Sequence, residues 1–220
     1  MKLNNRLAAL SGMITRHYNH IWDCCCDHGH LGMALLQSDS ATTVHFVDVV
    51  SALIEVLTAK LEQQHPDSDC WETHYCDLNR LTLPDRHSEH LLIIAGVGGD
   101  LTIEFVNNII ANNPHHNIEF LLCPVRHNAK VRQALKDLGL KLFNESIVFD
   151  KGLFYEVIHT SNKAQEEIAI TGSLMWDNQN PKHLHYLEKT IAHYERAARS
   201  SPEKYADLLS RYRGLKTKLL

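Results

Sequence analysis

The sequence lacks the features that would place a protein in a membrane or outside the cell. No apolar run approaches the roughly 18 to 20 residues needed to cross a bilayer, and the apolar run near the N-terminus is too short for a secretory signal. Three of the six cysteines are adjacent and the others are scattered, so the spaced pairs of a disulfide scaffold are missing. These absences predict reduced thiols, a cytoplasmic location and no membrane partner. With 44% hydrophobic residues, the chain can still bury a sizeable core.

An overall excess of positive charge is also missing. The formal net charge is −4, which argues against a protein that coats nucleic acid over its whole surface. The charge is nevertheless uneven, because basic residues outnumber acidic ones from Lys182 onward, and Arg6 and Arg16 precede the first acidic residue, Asp23. Both ends of the chain are therefore suited to a phosphate backbone, with a solvated basic helix surface as the alternative interpretation.

Glycine is scarce where a dinucleotide-binding loop would need it. In residues 20–31 a short apolar run ends in Asp23, enters a turn of small residues and leads into a helix, as in α/β proteins that hold nucleotides. The dinucleotide fingerprint has glycines at alternating positions, but here those positions are Cys25, Asp27 and Gly29. The Asp27 carboxylate would repel a pyrophosphate and suits a cationic sulfonium. The loop therefore favours S-adenosylmethionine (SAM) over NAD.

Short apolar runs alternate with helical patterns, which predicts β-α-β units and a parallel sheet. Strands are predicted over residues 20–24, 44–48, 72–75, 91–95 and 118–123. Two further strands, 141–149 and 154–159, are joined by a hairpin signal at residues 150–152. An α/β fold with a mostly parallel sheet that ends in an antiparallel hairpin is typical of Rossmann-like SAM methyltransferases.

The predicted helices that alternate with these strands are 31–37, 51–64, 101–112 and 128–138. In the second of them Ser51 is the predicted N-cap. The residues of that helix predicted to face the core are Leu53, Val56, Leu57, Lys60 and Leu61, with the lysine reaching toward solvent.

The pattern changes after Thr160, where a polar connector begins. Two helices follow, over residues 182–199 and 203–219, and Pro202 marks the break between them. Each helix has one apolar stripe, which predicts an antiparallel helical hairpin. The sequence therefore divides into an α/β domain with the predicted SAM loop, 1–160, and a connector with a helical hairpin, 161–220. The basic outer faces of the hairpin are suited to a phosphate backbone, and packing of the two stripes without any further function is the alternative.

In order and spacing, several motifs resemble the bacterial tRNA (adenine-22-N1)-methyltransferase family. They are residues 23–31 (DCCCDHGHL), 94–99 (IAGVGG), 123–124 (CP), 131–135 (VRQAL), Glu145 and residues 151–157 (KGLFYEV). The resemblance covers essentially the whole chain. It implies a Rossmann-like SAM-dependent methyltransferase with a coiled-coil-like C-terminal domain, acting on tRNA and releasing S-adenosylhomocysteine.

Two positions depart from the pattern of that family. Cys25 stands where the first motif has glycine, and Val125 replaces the asparagine of a Gln-Pro-Asn sequence. A cysteine fits this position if its φ angle is negative, so we expect SAM binding to survive. Val125 lacks the side-chain amide with which asparagine could contact the target base. The sequence therefore predicts methyl transfer more firmly than it predicts the identity of the substrate.

The ends of the predicted strands, together with the resemblance, give candidate cofactor contacts. Asp23 would orient the loop, Asp48 would accept the two ribose hydroxyls, and Asp77 would lie beside the adenine amino group. The full predicted cofactor set is Asp23, Cys25, Gly29, Asp48, Asp77, Ala95 and Gly96. The alternative for the aspartates is an ordinary turn or surface role.

Methylation at adenine N1 requires no proton to leave before the methyl group moves, and the product ring becomes cationic. Asp27 could accept a hydrogen bond from the exocyclic amine and stabilise that charge, while His28 orients Asp27 or contacts the base. The alternative is a helix-start pair without catalytic function. The predicted substrate-binding residues are Gly98, Gly99, Pro124, Arg132, Arg196, Arg199, Arg211 and Arg213.

Other interpretations compete with this one. Cys24, Cys25, Cys26, His28 and His30 suggest structural zinc, but they lack ligand spacing, and no metal is expected. An NAD enzyme is disfavoured by the missing glycines. A SAM methyltransferase of a small molecule and an inactive RNA-binding paralogue are the remaining alternatives. A monomer is slightly favoured.

Overall fold

The apolar runs of the sequence form one sheet in the computed structural model, which describes residues 3–66 and 69–219. The strands are β1 (Tyr18–Cys24), β2 (Ala41–Asp48), β3 (Trp71–Tyr75), β4 (Glu89–Ala95), β5 (Asn117–Cys123), β6 (Lys141–Asp150) and β7 (Leu153–Ser161). Their order in the sheet is β3-β2-β1-β4-β5-β7-β6. The first five are parallel, whereas β7 is antiparallel to both β5 and β6. The predicted fold class is therefore confirmed.

Helices cover both faces of the sheet and extend beyond it. They are α1 (Asn5–Gly12), α2 (His30–Gln37), α3 (Ser51–Gln64), α4 (Gly99–Asn112), α5 (Asn128–Asp137), α6 (Pro181–Ser200) and α7 (Pro202–Leu219). A short 3-10 helix, Leu78–Arg80, lies between β3 and β4. Sequence reasoning did not predict α1, which begins after the capping side chain of Asn4. None of the helices in the described part of the chain has the length and apolarity that a bilayer crossing needs.

Apolar side chains are buried on both faces of the sheet, which explains why its central strands read as continuous apolar runs. One layer includes Leu92 and Val106, and the other includes Phe46 and Leu57. Gly32 on α2 has no room for a side chain, since a Cβ atom there would lie 2.3 Å from the ring of Phe46. Close packing of α2 against β2 therefore fixes the loop that joins β1 to α2.

The prediction for α3 is correct in its bounds but wrong in its cap and in part of its buried face. Ser51 is the first helical residue, and Val50 occupies the cap position without a side-chain cap. The residues that α3 buries are Ile54, Leu57 and Leu61. Val56 is exposed, because the face of α3 that packs against the sheet is the one that contains Ile54, Leu57 and Leu61.

Arg132 is fully buried on α5, which corrects its prediction as a substrate-binding residue. Its Nη1 atom lies 2.5 Å from Glu145 Oε2, and its Nε atom lies 2.8 Å from Glu156 Oε2. Neither glutamate side chain is more than 1% exposed. A guanidinium enclosed in this way has no surface left for RNA, so we assign it a structural role.

The same two glutamates hold the connector and the first helix of the hairpin. Glu145 Oε1 accepts hydrogen bonds from the backbone N–H groups of Ser173 and Leu174. Burial alone raises the pKa of Glu145, but Arg132 and these amides outweigh it, so the net pKa lies below its ordinary value. Glu156 accepts a 2.7 Å hydrogen bond from the hydroxyl of Tyr186 on α6. One buried cluster thus joins the sheet to the hairpin.

The last two helices form the predicted antiparallel hairpin. Arg213 pairs with Glu195, and Lys216, further along α7, pairs with Glu188, which comes earlier on α6. The two helices are therefore antiparallel. Tyr212 is buried between the helices and stacks on Tyr194 with ring centroids 5.4 Å apart. The apolar stripes therefore pack against each other and leave the charged faces outside.

We expect Arg132→Ala to lower the free energy of unfolding by about 3–5 kcal/mol, because it leaves two buried carboxylates unpaired. The matched control is Arg211→Ala, whose exposed pair with Asp207 contributes about 0.3–0.5 kcal/mol. Urea denaturation measures both. Equal effects of the two substitutions would contradict a structural role for Arg132.

Candidate active site

The candidate site lies at the edge of the sheet where the parallel strands end. Asp23 and Asp48 are at the ends of β1 and β2, Asp77 follows β3, and Gly96 follows β4. The carboxyl ends of parallel strands meet at one edge, so the chain brings these separated residues together.

Asp23 holds the start of α2. Its Oδ2 atom accepts a 2.8 Å hydrogen bond from the backbone N–H of Gly32, and its side chain is buried. Burial raises the pKa of Asp23 to about 7, against the opposing effect of the Gly32 amide, and the nearby Asp48 carboxylate adds to the rise. A cationic group placed in this crevice would therefore be attracted to Asp23 and would favour its ionised form.

Asp48 is shared between two loops. Its Oδ2 atom accepts the N–H of Asp27 at 3.0 Å, and its Oδ1 atom accepts the N–H of Val50 at 3.0 Å. Each carboxylate oxygen has a second lone pair, so hydroxyl groups of a ligand can still donate to Asp48. The carboxylate thus organises the site before any ligand arrives.

Exposed apolar side chains border Asp48, and sequence reasoning missed them. Val49 is 64% exposed, and Tyr75, whose Cα pairs with that of Asp48, is also 64% exposed. Asp77 is exposed beyond Tyr75, and its Oδ1 atom caps the 3-10 helix by accepting the N–H of Asn79 at 2.9 Å. Apolar surface beside carboxylates is suited to a flat, partly polar ring. The sequence signal that could have identified this surface is the pair of valines, Val49 and Val50, directly after Asp48 at the end of β2.

The loop after β1 has an unusual backbone. Cys25 has a φ angle of 57° and Asp27 one of 53°, so the expectation of a negative φ at Cys25 is wrong. The loop must turn tightly, because the N–H of Cys26 donates to the carbonyl of Val47 at 3.1 Å and that of Asp27 to Asp48. Cys25 therefore occupies a conformation that glycine adopts at lower cost.

Gly29 has both a conformational and a packing reason to be glycine. Its φ angle is 65°, and a Cβ atom there would lie 2.7 Å from Leu57 Cδ1. The close approach predicted for Gly29 is therefore seen against the protein itself. Its predicted contact with a cofactor stays a prediction.

The predicted catalytic pair is accessible. Asp27 and His28 are both exposed, and His28 Nε2 lies 3.5 Å from Asp27 Oδ1. The Asp27 carboxylate accepts no backbone N–H of α2 among the described hydrogen bonds, so helix capping does not engage it. Its oxygen atoms are available to a ligand at the mouth of the crevice.

A loop of glycines follows β4, and two arginines flank it. Gly99 is enclosed, since a Cβ atom there would lie 2.5 Å from the carbonyl oxygen of Arg126. A Cβ at Gly98 would lie 3.3 Å from Arg126 Nε, and one at Gly96 would lie 3.5 Å from Arg6 Nη2. Sequence reasoning noted Arg6 only as terminal charge and missed Arg126.

Two of the other predicted site residues, Ala95 and Pro124, lie at the carboxyl ends of β4 and β5, beside this glycine loop. Ala95 is the last residue of β4, and Pro124 is buried directly after β5, whereas Val125 is exposed. The N–H of Val125 donates to the carbonyl of Val97 at 2.9 Å, which joins the loops after β4 and β5. The two loops therefore form one wall of the crevice.

The four hairpin arginines differ in how they are paired. Arg211 lies 2.7 Å from Asp207, and Arg213 lies 2.7 Å from Glu195. Arg196 and Arg199 are exposed, and neither has an ion pair within residues 3–66 and 69–219. Positive charge that is not compensated within the hairpin is therefore concentrated on α6.

Among the residues that the structure describes, no three ligand atoms of the cysteine loop come close enough to one another to share a metal ion. Burial raises the pKa of Cys25 to about 12 and that of Cys24 well above its ordinary value. Within the described residues, the one group of side chains close enough to share a metal ion lies elsewhere, on β2 and β3.

A family model described as a methyltransferase domain matches residues 3–158. That match spans the sheet up to β7, including every strand end described above. The chain belongs to this methyltransferase-domain family. No curated protein matches the chain in sequence.

Solved structures similar to the chain extend the comparison to the hairpin. The M. capricolum TrmK structure, in complex with S-adenosylhomocysteine, has a TM-score of 0.77 at 17% identity, covering 100% of this chain and 98% of that one. The B. subtilis m1A22 tRNA methyltransferase TrmK has a TM-score of 0.72 at 16% identity, with 99% and 97% covered. Magnesium protoporphyrin IX methyltransferase from Synechocystis reaches 0.58 at 10% identity, with 72% and 78% covered. These likenesses establish the fold.

The backbone at position 25 can be tested with two variants that both lack the thiol. We expect the free energy of unfolding of Cys25→Gly to exceed that of Cys25→Ala by about 1 kcal/mol, because a positive φ angle at position 25 strains alanine but not glycine. At Cys24, the last residue of β1, which pairs with both β2 and β4, the order is expected to reverse, since glycine weakens a strand. Urea denaturation of the four variants compares them. An alanine advantage at position 25 would show that the loop does not have the conformation described.

Proposed function

We propose that the chain is a SAM-dependent methyltransferase that acts on N1 of an adenine in tRNA, with adenine 22 as the target. The observation that carries this proposal is the similarity to two TrmK structures over the whole chain, helical hairpin included. The Synechocystis enzyme, which is named for a small-molecule substrate, matches only 72% of this chain. The proposed place of action is the cytoplasm, with the chain as a monomer.

The strand-end residues fit the parts of SAM. The free lone pairs of Asp48 would accept the ribose hydroxyls, Asp77 would accept the adenine amino group, and the exposed faces of Val49 and Tyr75 would contact the ring. Asp23, buried below the loop, would face the cationic end. Ala95, Gly96 and Cys25 would complete the wall. SAM would supply the electrophilic methyl group.

Asp27 is the proposed residue that acts on the base. Adenine N1 already has an in-plane lone pair, so no residue needs to remove a proton before transfer. The exposed Asp27 carboxylate would accept a hydrogen bond from the exocyclic amine, align N1 and stabilise the positive charge that develops on the ring. His28, 3.5 Å away, would hold Asp27 in position.

The glycine loop after β4 would admit a flipped adenine. Gly98 is partly exposed and Gly99 keeps the backbone close to α5, so the loop adds no side chain of its own at these two positions to the space that a base would enter. Arg6 and Arg126 flank this loop and would contact the phosphates on either side of the extruded nucleotide.

The exposed arginines of α6 are the proposed docking contacts for the body of the tRNA. The acidic net charge of the chain repels a polyanion, so localised positive charge must overcome that repulsion. Arg196 and Arg199 offer charge without giving up a partner, whereas Arg211 and Arg213 must first leave their carboxylates.

The chemistry is tested with Asp27→Asn, which keeps the shape of the side chain and removes its charge. We expect methylation of tRNA at adenine N1 to fall roughly tenfold or more while SAM affinity changes little, because the interaction strengthens mainly in the transition state. Methyl transfer and calorimetric SAM binding are measured in parallel.

The matched control is Asp39→Asn, since Asp39 is also exposed and also has a positive φ, of 51°. Full activity in both variants would leave Asp27 without a catalytic role. Absence of SAM binding by the wild type would instead support the inactive RNA-binding alternative.

Docking of tRNA is tested by the double charge reversal Arg196→Glu/Arg199→Glu. We expect tRNA affinity to fall roughly tenfold or more, and the slope of its salt dependence to become shallower by about one unit for each arginine that no longer binds a phosphate. Filter binding at several salt concentrations measures both, with SAM affinity unchanged.

The control is Arg86→Glu/Lys163→Glu, which makes the same change of charge at the opposite edge of the sheet, before β4 and after β7. Equal reductions in affinity for the two double variants would indicate a general effect of net charge. Unchanged affinity after reversal on α6 would favour the small-molecule alternative.

A further inference from the structure

Four histidines from four neighbouring strands meet on one face of the sheet. They are His20 on β1, His45 on β2, His74 on β3 and His90 on β4. The strand register explains the meeting, because His20 lies beside His90, and His45 lies between Trp22 and Glu72. The proposed methyl transfer uses none of these side chains.

The ring of His45 is held in one orientation. Trp22 stacks on it with ring centroids 3.7 Å apart and an interplanar angle of 8°. Its Nε2 atom lies 3.0 Å from His20 Nδ1, and its Nδ1 atom lies 2.9 Å from His74 Nε2. The imidazole therefore presents Nδ1 to a fixed point between β2 and β3.

Three donor atoms converge on that point. His45 Nδ1 and His74 Nε2 are 2.9 Å apart, and Glu72 Oε2 lies 3.4 Å from the first and 3.5 Å from the second. Ligands of a tetrahedral zinc ion, at metal distances of about 2.0–2.2 Å, are about 3.3–3.6 Å from one another. The triangle has nearly the dimensions of one face of such a site.

A neutral imidazole coordinates a cation through one ring nitrogen. His45 Nδ1 and His74 Nε2 both face Glu72 Oε2, so these are the atoms that would bind the ion. The proton of the 2.9 Å hydrogen bond between them would be released on binding.

The surroundings match those of zinc sites in two further respects. The second nitrogen of a metal-binding histidine usually meets a hydrogen-bond partner, and His45 Nε2 has one in His20. The donors also form a gradient from buried to exposed, with His74 28% and Glu72 59% exposed, so an ion and a water ligand can enter.

We propose that His45, Glu72 and His74 form a binding site for a zinc ion, with a water molecule as fourth ligand. Two imidazoles and one carboxylate favour zinc over magnesium, which prefers oxygen ligands in octahedral geometry. The ion would join β2 to the short edge strand β3. His45 precedes Asp48 by three residues, or about 10 Å of strand, so the site is separate from the methyl-transfer crevice and does not depend on its function.

The test uses the full-length chain without a histidine tag, freed of metal by a chelator. Zinc is titrated in competition with a chromophoric chelator, and one tight equivalent is expected. Glu72→Gln and His74→Gln alter partly exposed side chains, and each is expected to weaken that affinity at least tenfold. Circular dichroism of the metal-free variants checks that both are folded.

The controls are Glu62→Gln and His17→Gln, which alter exposed residues of the same types and should leave the affinity unchanged. Bound cobalt should give the intense visible absorption of a four-coordinate ion in the wild type, and Glu72→Gln and His74→Gln should lose it. Absence of a tight equivalent, equal affinity in all variants, or equal competition by magnesium would overturn the proposal and leave a hydrogen-bonded histidine chain only.

Discussion

The buried guanidinium of Arg132 is the group on which the arrangement of the chain depends. It lies between Glu145 on β6 and Glu156 on β7, and those glutamates in turn bind the connector and Tyr186 of the hairpin. Any one charge in this cluster is tolerable in the interior only because the others are present. The sheet, the connector and the hairpin are therefore joined through the hydrogen bonds of this one cluster, beside the ring contacts of Tyr186 with Phe154 and Trp176.

Much of the fold could be predicted from the sequence, because the spacing of apolar residues along a helix or strand follows the face that is buried. The central strands of the sheet are apolar on both faces, and the hairpin helices have one apolar stripe each, so both were recognised. What failed depends on tertiary contacts. Ser51 is a good capping residue in isolation, yet the carboxylate of Asp48 binds the amide of Val50 instead. Arg132 resembles an RNA-binding residue until its two partners, distant in sequence, are known.

The candidate site was predicted in part for the same reason. Asp23, Asp48 and Asp77 follow apolar runs, which is a local signal, and the structure brings them to one edge. The positive φ of Cys25 has no local signal, because it arises from hydrogen bonds between the loop and β2. The flanking position of Arg126 likewise depends on how two loops meet. The hydrophobic pattern of the sequence thus predicts where strands end, whereas the side chains around those ends depend on tertiary contacts that the pattern does not contain.

The double engagement of Asp48 has a consequence for cooperativity. Its Oδ2 atom binds the amide of Asp27, so a ligand that draws on the same oxygen alters the freedom of Asp27. A ligand at Asp48 and a ligand at Asp27 would thus be connected through this amide, and thermodynamic linkage would make the influence of each on the other equal. A single hydrogen bond of 3.0 Å is the path by which occupancy at the end of β2 would change affinity at the mouth of the crevice.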